Sequence, residues 1–400
     1  MNWKPRKLDQ CAKFLSGGTP SKSNVGYWTG DIPWVSSGEM VQSFIEDTEL
    51  HLSADGALNG TRTVPKHTVL AVVRGMSLAK EFRVSITQRE MTFNKDIKAF
   101  RCADDIDPHF LFYALKARKN HIRELATEAS HGTKKLETDV LGSVEILVPD
   151  TVEIQKAAAS IALNYDDLIE NNRRRIALLE DAARQLYKEW FVRFRFPGHE
   201  HVEIINGLPE GWELTTLGAV CDTNVKSYSA KNLPEYIRYI DIAAVDKGEI
   251  VSNPPISSAE APGRARQIAS HGDVIWSNVR PNLRAYALVM HPESFDVFST
   301  GFTILSSDHL PYSYLYYLTT TDDFVAYLVN QTTGASYPAV RHGDFERAEI
   351  LLPPKRLLNE FQAVCEPNFE LAANLRRQGE QLAKARDFLL PRLMSGTLTV

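Results

Sequence analysis

No stretch of this sequence is apolar for the roughly 18 residues that a membrane-crossing helix needs. Its first residues, MNWKPRKLDQ, contain no apolar core of a secretory signal. Cysteine is scarce: Cys11, Cys102, Cys221 and Cys365 lie far apart, with no C-x-x-C pair. That spacing argues against a disulfide framework or a zinc ribbon and fits a reducing cytoplasm. No surplus of positive charge is present either, since the formal net charge is −5. That balance argues mildly against a protein that merely coats nucleic acid, and not against one that is basic on a single face or clamped by partner subunits.

Catalytic signatures are missing as well. There is no G-x-x-x-x-G-K-[ST] phosphate loop, no G-x-G-x-x-G opening a helix and no G-x-S-x-G elbow. Asn253-Pro254-Pro255-Ile256 approaches the N-P-P-aromatic motif of DNA methyltransferases. An isoleucine stands where an aromatic ring would stack on the base, and the segment reads as a turn. Pro149-Asp150 with Glu153 and Lys156 has the wrong spacing for a nuclease and reads as a helix cap. His199, Glu200, His201 and Glu203 read as a solvated linker, because alternating ligands with no distant partner make an incomplete site. No catalytic residue and no metal site is expected.

What is present is a repeat with a period of about 200 residues. LGSVEILVP (141–149) recurs as FERAEILLP (345–353), and DPHFLFYALKA (107–117) as LPYSYLYYLTT (310–320). VLAVVRG (69–75) is echoed by VIWSNVRP (274–281), and WKPRKL (3–8) by WELTTL (212–217). HGTKKLETDV (131–140) and TGASYPAVRHGDF (333–345) take matching places before the repeated strand. Each repeat begins with short strands broken by Gly, Pro, Ser and Asn, closes on EILVP or EILLP, and continues into a long helix.

The helices carry apolar residues in steps of three and four. In the first these are Ala158, Ile161, Tyr165, Leu168, Asn172, Ile176, Leu179, Ala183, Leu186 and Trp190, with a stutter after Asn172. In the second they are Phe361, Val364, Asn368, Leu371, Leu375, Gln378, Leu382, Ala385 and Leu389. Such stripes predict a coiled-coil seam, with Asn172 and Asn368 fixing the register. Asp150 or Thr151 caps the first helix, and Pro367 predicts a kink in the second or a later start.

The expected architecture is α+β. Two similar mixed α/β domains (1–149 and 212–353) are separated by a central helix (150–196), a linker (197–211) and a distal helix (354–400). The two helices form an antiparallel coiled coil in a pseudo-twofold repeat.

This modular order resembles the specificity subunits of type I restriction-modification systems. The resemblance rests on EILVP and EILLP, the loops before them, IENNRRRIALLEDAARQLYKEWFV (169–192), and NLRRQGEQLAKARDFLLPRLMSG (374–396) with its terminal LLPRLMSG. It implies two target-recognition domains on a helical spacer that read a bipartite site in double-stranded DNA. It also implies docking of two methylation subunits and of restriction subunits. Those partners would carry the S-adenosylmethionine, ATP and magnesium chemistry, and this chain would need no cofactor.

Candidate DNA contacts are basic, amide and hydroxyl side chains in corresponding loops. In the first domain they are Arg74, Ser77, Lys80, Arg83, Lys95, Lys134 and Lys135. In the second they are Lys226, Lys231, Arg280, Asn282, Arg284, Tyr337 and Arg341. Arg and Asn can read guanine and adenine edges in pairs of hydrogen bonds, while Lys mostly neutralises phosphate. A helix from Tyr165 to Phe194 would span about 45 Å, on the order of 13 base pairs, and so act as a ruler. A coiled-coil adaptor without DNA reading is the competing interpretation. An enzyme with an unrecognised site is the third.

Overall fold

The computed structural model describes residues 3–129, 132–229, 231–251, 254–334 and 337–398. The chain is mixed α/β and divides into two compact units. One comprises Met1–Asn171 with Gln378–Val400, the other Asn172–Arg377. Each unit therefore holds one globular body, part of the first long helix (Val152–Tyr187) and part of the second (Lys355–Leu393).

In the first unit, Trp3–Lys7 pairs antiparallel with Glu145–Pro149, so the first strand of the body lies beside its last. The central strand Val69–Val72 is buried on both faces because its residues alternate between two cores. Val69 and Ala71 join Phe110, Leu111 and Phe112 of the helix Pro108–Ala117, whereas Leu70 and Val72 join Val35, Met91 and Phe93. This is why VLAV is apolar throughout rather than alternating. Burying each such large side chain fully contributes about 1.5–3 kcal/mol. Asp107 starts the helix, its carboxylate accepting from the Phe110 N–H at 3.0 Å, with Pro108 in the first turn. The same sheet runs, edge to edge, Ala12–Ser16, Ile97–Cys102, Val69–Val72, Val84–Thr87, Phe44–Ile45.

The second unit repeats this plan. Glu213–Thr216 pairs antiparallel with Glu349–Leu352. Its sheet runs Asp222–Thr223, Phe302–Ser306, Val274–Ser277, Tyr286–Leu288, matching four strands of the first unit in order. A parallel pair occupies the same place in both, Ile32–Val35 with Met91–Phe93 and Tyr236–Ile240 with Asp296–Ser299. Val274 and Trp276 face the core containing Tyr314 and Phe345, while Ile275 faces Phe298 and Ile304.

Four details depart from the sequence expectations. The first helix changes to a π-helical turn at Lys188–Val192 and stops before Phe194, whose φ is 57°. The turn places Trp190 and Phe191 in the aromatic core with Phe361 and Trp212. The second helix is continuous through Pro367 from Lys355. The carbonyl that loses its N–H partner belongs to Ala363, which is exposed, so water can satisfy it. The buried face is also broader than the expected seam, which it includes at Ala158, Asn172, Ala183, Trp190, Phe361 and Leu375. Leu168 and Val364 remain 51% and 50% exposed, whereas Ala162, Asp166, Cys365 and Phe369 are buried. Against a globular body a helix buries a broad face rather than a narrow seam. Finally, the segment read as a linker contains a hairpin, Ile204–Ile205 with Leu208–Pro209. Asn206 and Gly207 both have positive φ, at 52° and 86°, as a type I′ turn requires.

Candidate nucleic-acid interface

The loop leaving each central strand meets the loop that precedes the closing strand. In the first unit, Arg74–Gly75 pairs antiparallel with Lys134–Lys135, Arg74 opposite Lys135 and Gly75 opposite Lys134. Three candidate cations are thereby gathered on a small three-stranded sheet. Gly75, at φ 125°, turns the chain into the short helix Met76–Lys80, which carries Ser77 and Lys80 beside them. Lys135 pairs with Glu137 at 2.5 Å. Arg74 and Lys80 are exposed, and Ser77 is half-buried. Arg83 is not part of this group: it donates to the Gly38 carbonyl at 3.4 Å and approaches Glu81 at 4.0 Å. Lys95 lies exposed in the turn between Met91–Phe93 and Ile97–Cys102.

In the second unit the same meeting occurs through isolated bridges, Val279 to Ala339 and Thr333 to Ala339. The Arg280 N–H donates to the Pro338 carbonyl at 2.8 Å, and the guanidinium lies 5.3 Å from the centre of the Tyr337 ring. Arg280 and Arg284 both adopt left-handed backbone conformations, at φ 50° and 59°, on either side of the turn Pro281–Leu283. Arginine seldom occupies that region, so a turn holding two of them stores strain, a feature concentrated at working sites. Asn282 is exposed at its tip. Arg284 is bound to Asp322 at 2.5 Å. That hydrogen bond raises the Arg284 pKa and holds the Asp322 carboxyl below its ordinary range. Arg341 begins the helix His342–Glu346, its N–H donating to Asp344 at 2.7 Å. Lys226 and Lys231 lie apart from the turn in sequence. Lys226 donates to Ser270 at 3.1 Å, and Lys231 is exposed.

A search for basic and amide groups missed the apolar members of these surfaces. Met76 is 72% exposed next to Gly75 and Leu283 is exposed beside Arg284, joining the already expected Tyr337, which is 71% exposed. Apolar side chains set among cations suit thymine methyl groups or base steps. The detectable signal was an apolar residue in a turn next to a repeated arginine.

The cysteines offer no nucleophile. Burial raises the thiol of Cys11 to about 11 and those of Cys102, Cys221 and Cys365 to about 12. Asn253 lies outside the described residues. Among the described residues, no helix is long and apolar enough to cross a membrane.

Two bodies of similar topology each present a turn carrying arginine beside the loop that precedes the closing strand. Residues 1–181 match the family described as type I restriction modification DNA specificity domain. The chain is 26% identical to the type I restriction enzyme MjaIX specificity subunit of Methanocaldococcus jannaschii, over 100% of this chain and 94% of that one. It is 26% identical to the EcoR124I/EcoR124II specificity subunit of Escherichia coli, over 50% of each. A crystal structure of the type I restriction-modification S subunit from M. genitalium shares the fold, with a TM-score of 0.61 at 16% identity, covering 98% of this chain and 96% of that one. The resemblance to type I restriction-modification specificity subunits, read first from the motifs, therefore holds.

Proposed function

We propose that this chain reads a split DNA sequence for a type I restriction-modification complex and catalyses nothing itself. Each body reads one half of the site through its arginine turn: Arg74 with Lys134 and Lys135, and Arg280 with Asn282 and Tyr337. Arg284, Arg341, Ser77, Lys80, Arg83, Lys95, Lys226 and Lys231 then supply orienting or phosphate contacts. The observation that carries this reading is the recurrence, in both units, of an exposed arginine turn joined to the loop before the closing strand. The two long helices form an antiparallel coiled coil in a pseudo-twofold plan and dock two methylation subunits and the restriction subunits. S-adenosylmethionine, ATP and magnesium belong to those partners.

On this reading the helices set the gap between half-sites. Both pass from one compact unit to the other, the first at Asn171–Asn172 and the second at Arg377–Gln378. One heptad inserted at each crossing adds about 10 Å, on the order of three base pairs. Mapping the sites methylated by the reconstituted complex should show a wider preferred gap with unchanged bases in each half. An unchanged gap at full activity would remove the helices from that role. Failure of the unaltered complex to methylate any bipartite sequence would overturn the proposal as a whole.

A further inference from the structure

The two closing prolines, Pro149 and Pro353, are followed at the same distance by a helical carboxylate, Asp166 in one repeat and Glu370 in the other. In the first unit that carboxylate is neutralised by cations, Arg386 and Lys116. In the second it faces two imidazoles. Glu370 Oε2 lies 2.8 Å from His291 Nε2, and the His271 and His291 ring centres are 4.6 Å apart. One ligand atom from each of the three residues falls within 4.8 Å of the others.

We infer that His271, His291 and Glu370 form a site for a divalent transition metal of the zinc class, with water completing the coordination. Two neighbouring imidazoles can bind one cation together as neutral ligands. A mixed nitrogen and oxygen set is the donor chemistry of zinc, cobalt and nickel. The ligands are held in place. His271 ends the loop before Val274–Ser277, where its ring meets the Tyr312 edge at 5.4 Å and its Nδ1 accepts from the His291 N–H at 3.3 Å. His291 follows Tyr286–Leu288 in a left-handed conformation, at φ 50°, and Glu370 sits on the second long helix beside buried Phe369. Two ligands of one zinc ion stand about 3.3 Å apart in tetrahedral geometry, so the His291–Glu370 contact opens by a few tenths of an ångström on binding. The bound ion clamps the loop and hairpin of the second body onto its helix. In the first unit His67 also precedes the central strand, its ring centre 4.9 Å from that of His109, but His109 takes the place of Tyr312 rather than of His291, and the helical carboxylate is committed to Arg386. Among the described residues the site therefore belongs to the second repeat. It was not expected from sequence, because the ligands are 20 and 79 residues apart.

The test is to strip the full chain with a chelator and titrate it with Zn²⁺ by calorimetry, and separately with Co²⁺ by visible absorption. One ion should bind per chain, with the Co²⁺ spectrum moving from that of the aqueous ion to that of a low-coordinate nitrogen and oxygen site. His271→Gln and Glu370→Gln, each checked for native circular dichroism, should each abolish saturable binding. A His199→Gln/His201→Gln double variant should retain it. Absence of saturable binding by the unaltered chain, or its survival in both ligand variants, would overturn the assignment.

Discussion

Asp166→Ala is expected to destabilise the first unit by about 3–5 kcal/mol, the range for breaking one side of a buried ionic network. Asp166 is almost wholly buried, and its carboxylate accepts from the Tyr113 hydroxyl, at 2.8 Å, while also pairing with Lys116 and Arg386. Arg386 retains Asp387, at 2.7 Å. Lys116 retains the neutral Ser43 hydroxyl, at 2.8 Å, the nearby Phe112 and Tyr113 rings, and the longer-range attraction of Asp387. Burial already lowers the Lys116 pKa, and removing the carboxylate strengthens that effect. In a thermal melt of the full chain, the transition of the first unit should fall by roughly 10 °C. Asp166→Asn, which keeps an acceptor for Tyr113, should cost less. Equal and small effects from both variants would show that the network contributes little.

Arg280→Ala should relax reading at one base of the half-site assigned to the second unit. The expected loss of discrimination is about 1–3 kcal/mol, roughly 5- to 150-fold. Arg280 is exposed and held in a fixed left-handed turn, so its guanidinium is presented without a protein carboxylate among the partners described. Arg284→Ala should have a smaller effect, because Asp322 already occupies that side chain. Lys95→Ala should weaken binding to all sequences alike, as a phosphate contact does. Competition of the assembled complex against a randomised half-site library separates these outcomes. Uniform weakening by Arg280→Ala would reassign that residue to the backbone.

The parts legible in the sequence were those fixed by short-range pattern. The apolar runs of VLAV and VIW marked the central strands, because a strand covered on both faces is apolar at most positions. The closing prolines marked where the bodies end and the helices begin. Less legible were features in which tertiary packing selects between local options. The face a helix buries is broader than the seam because the globular bodies also cover Ala162, Asp166, Cys365 and Phe369. Asn206-Gly207 was a readable hairpin signal in a segment treated as linker. Arg280 and Arg284 were identifiable from the repeat, but the ion pair that occupies one and not the other depends on Asp322, 38 residues away from Arg284. The cluster of His271, His291 and Glu370 is a product of topology, with no local motif to announce it.

The central claim is that the two bodies read DNA independently. Its most direct test replaces residues 1–149 by the corresponding body of a relative with a different target, then maps the sequences methylated by the reconstituted complex. The account predicts that one half of the recognised site changes completely while the other half, and the gap between them, stay as they were. A change in both halves together, or in neither, would contradict it.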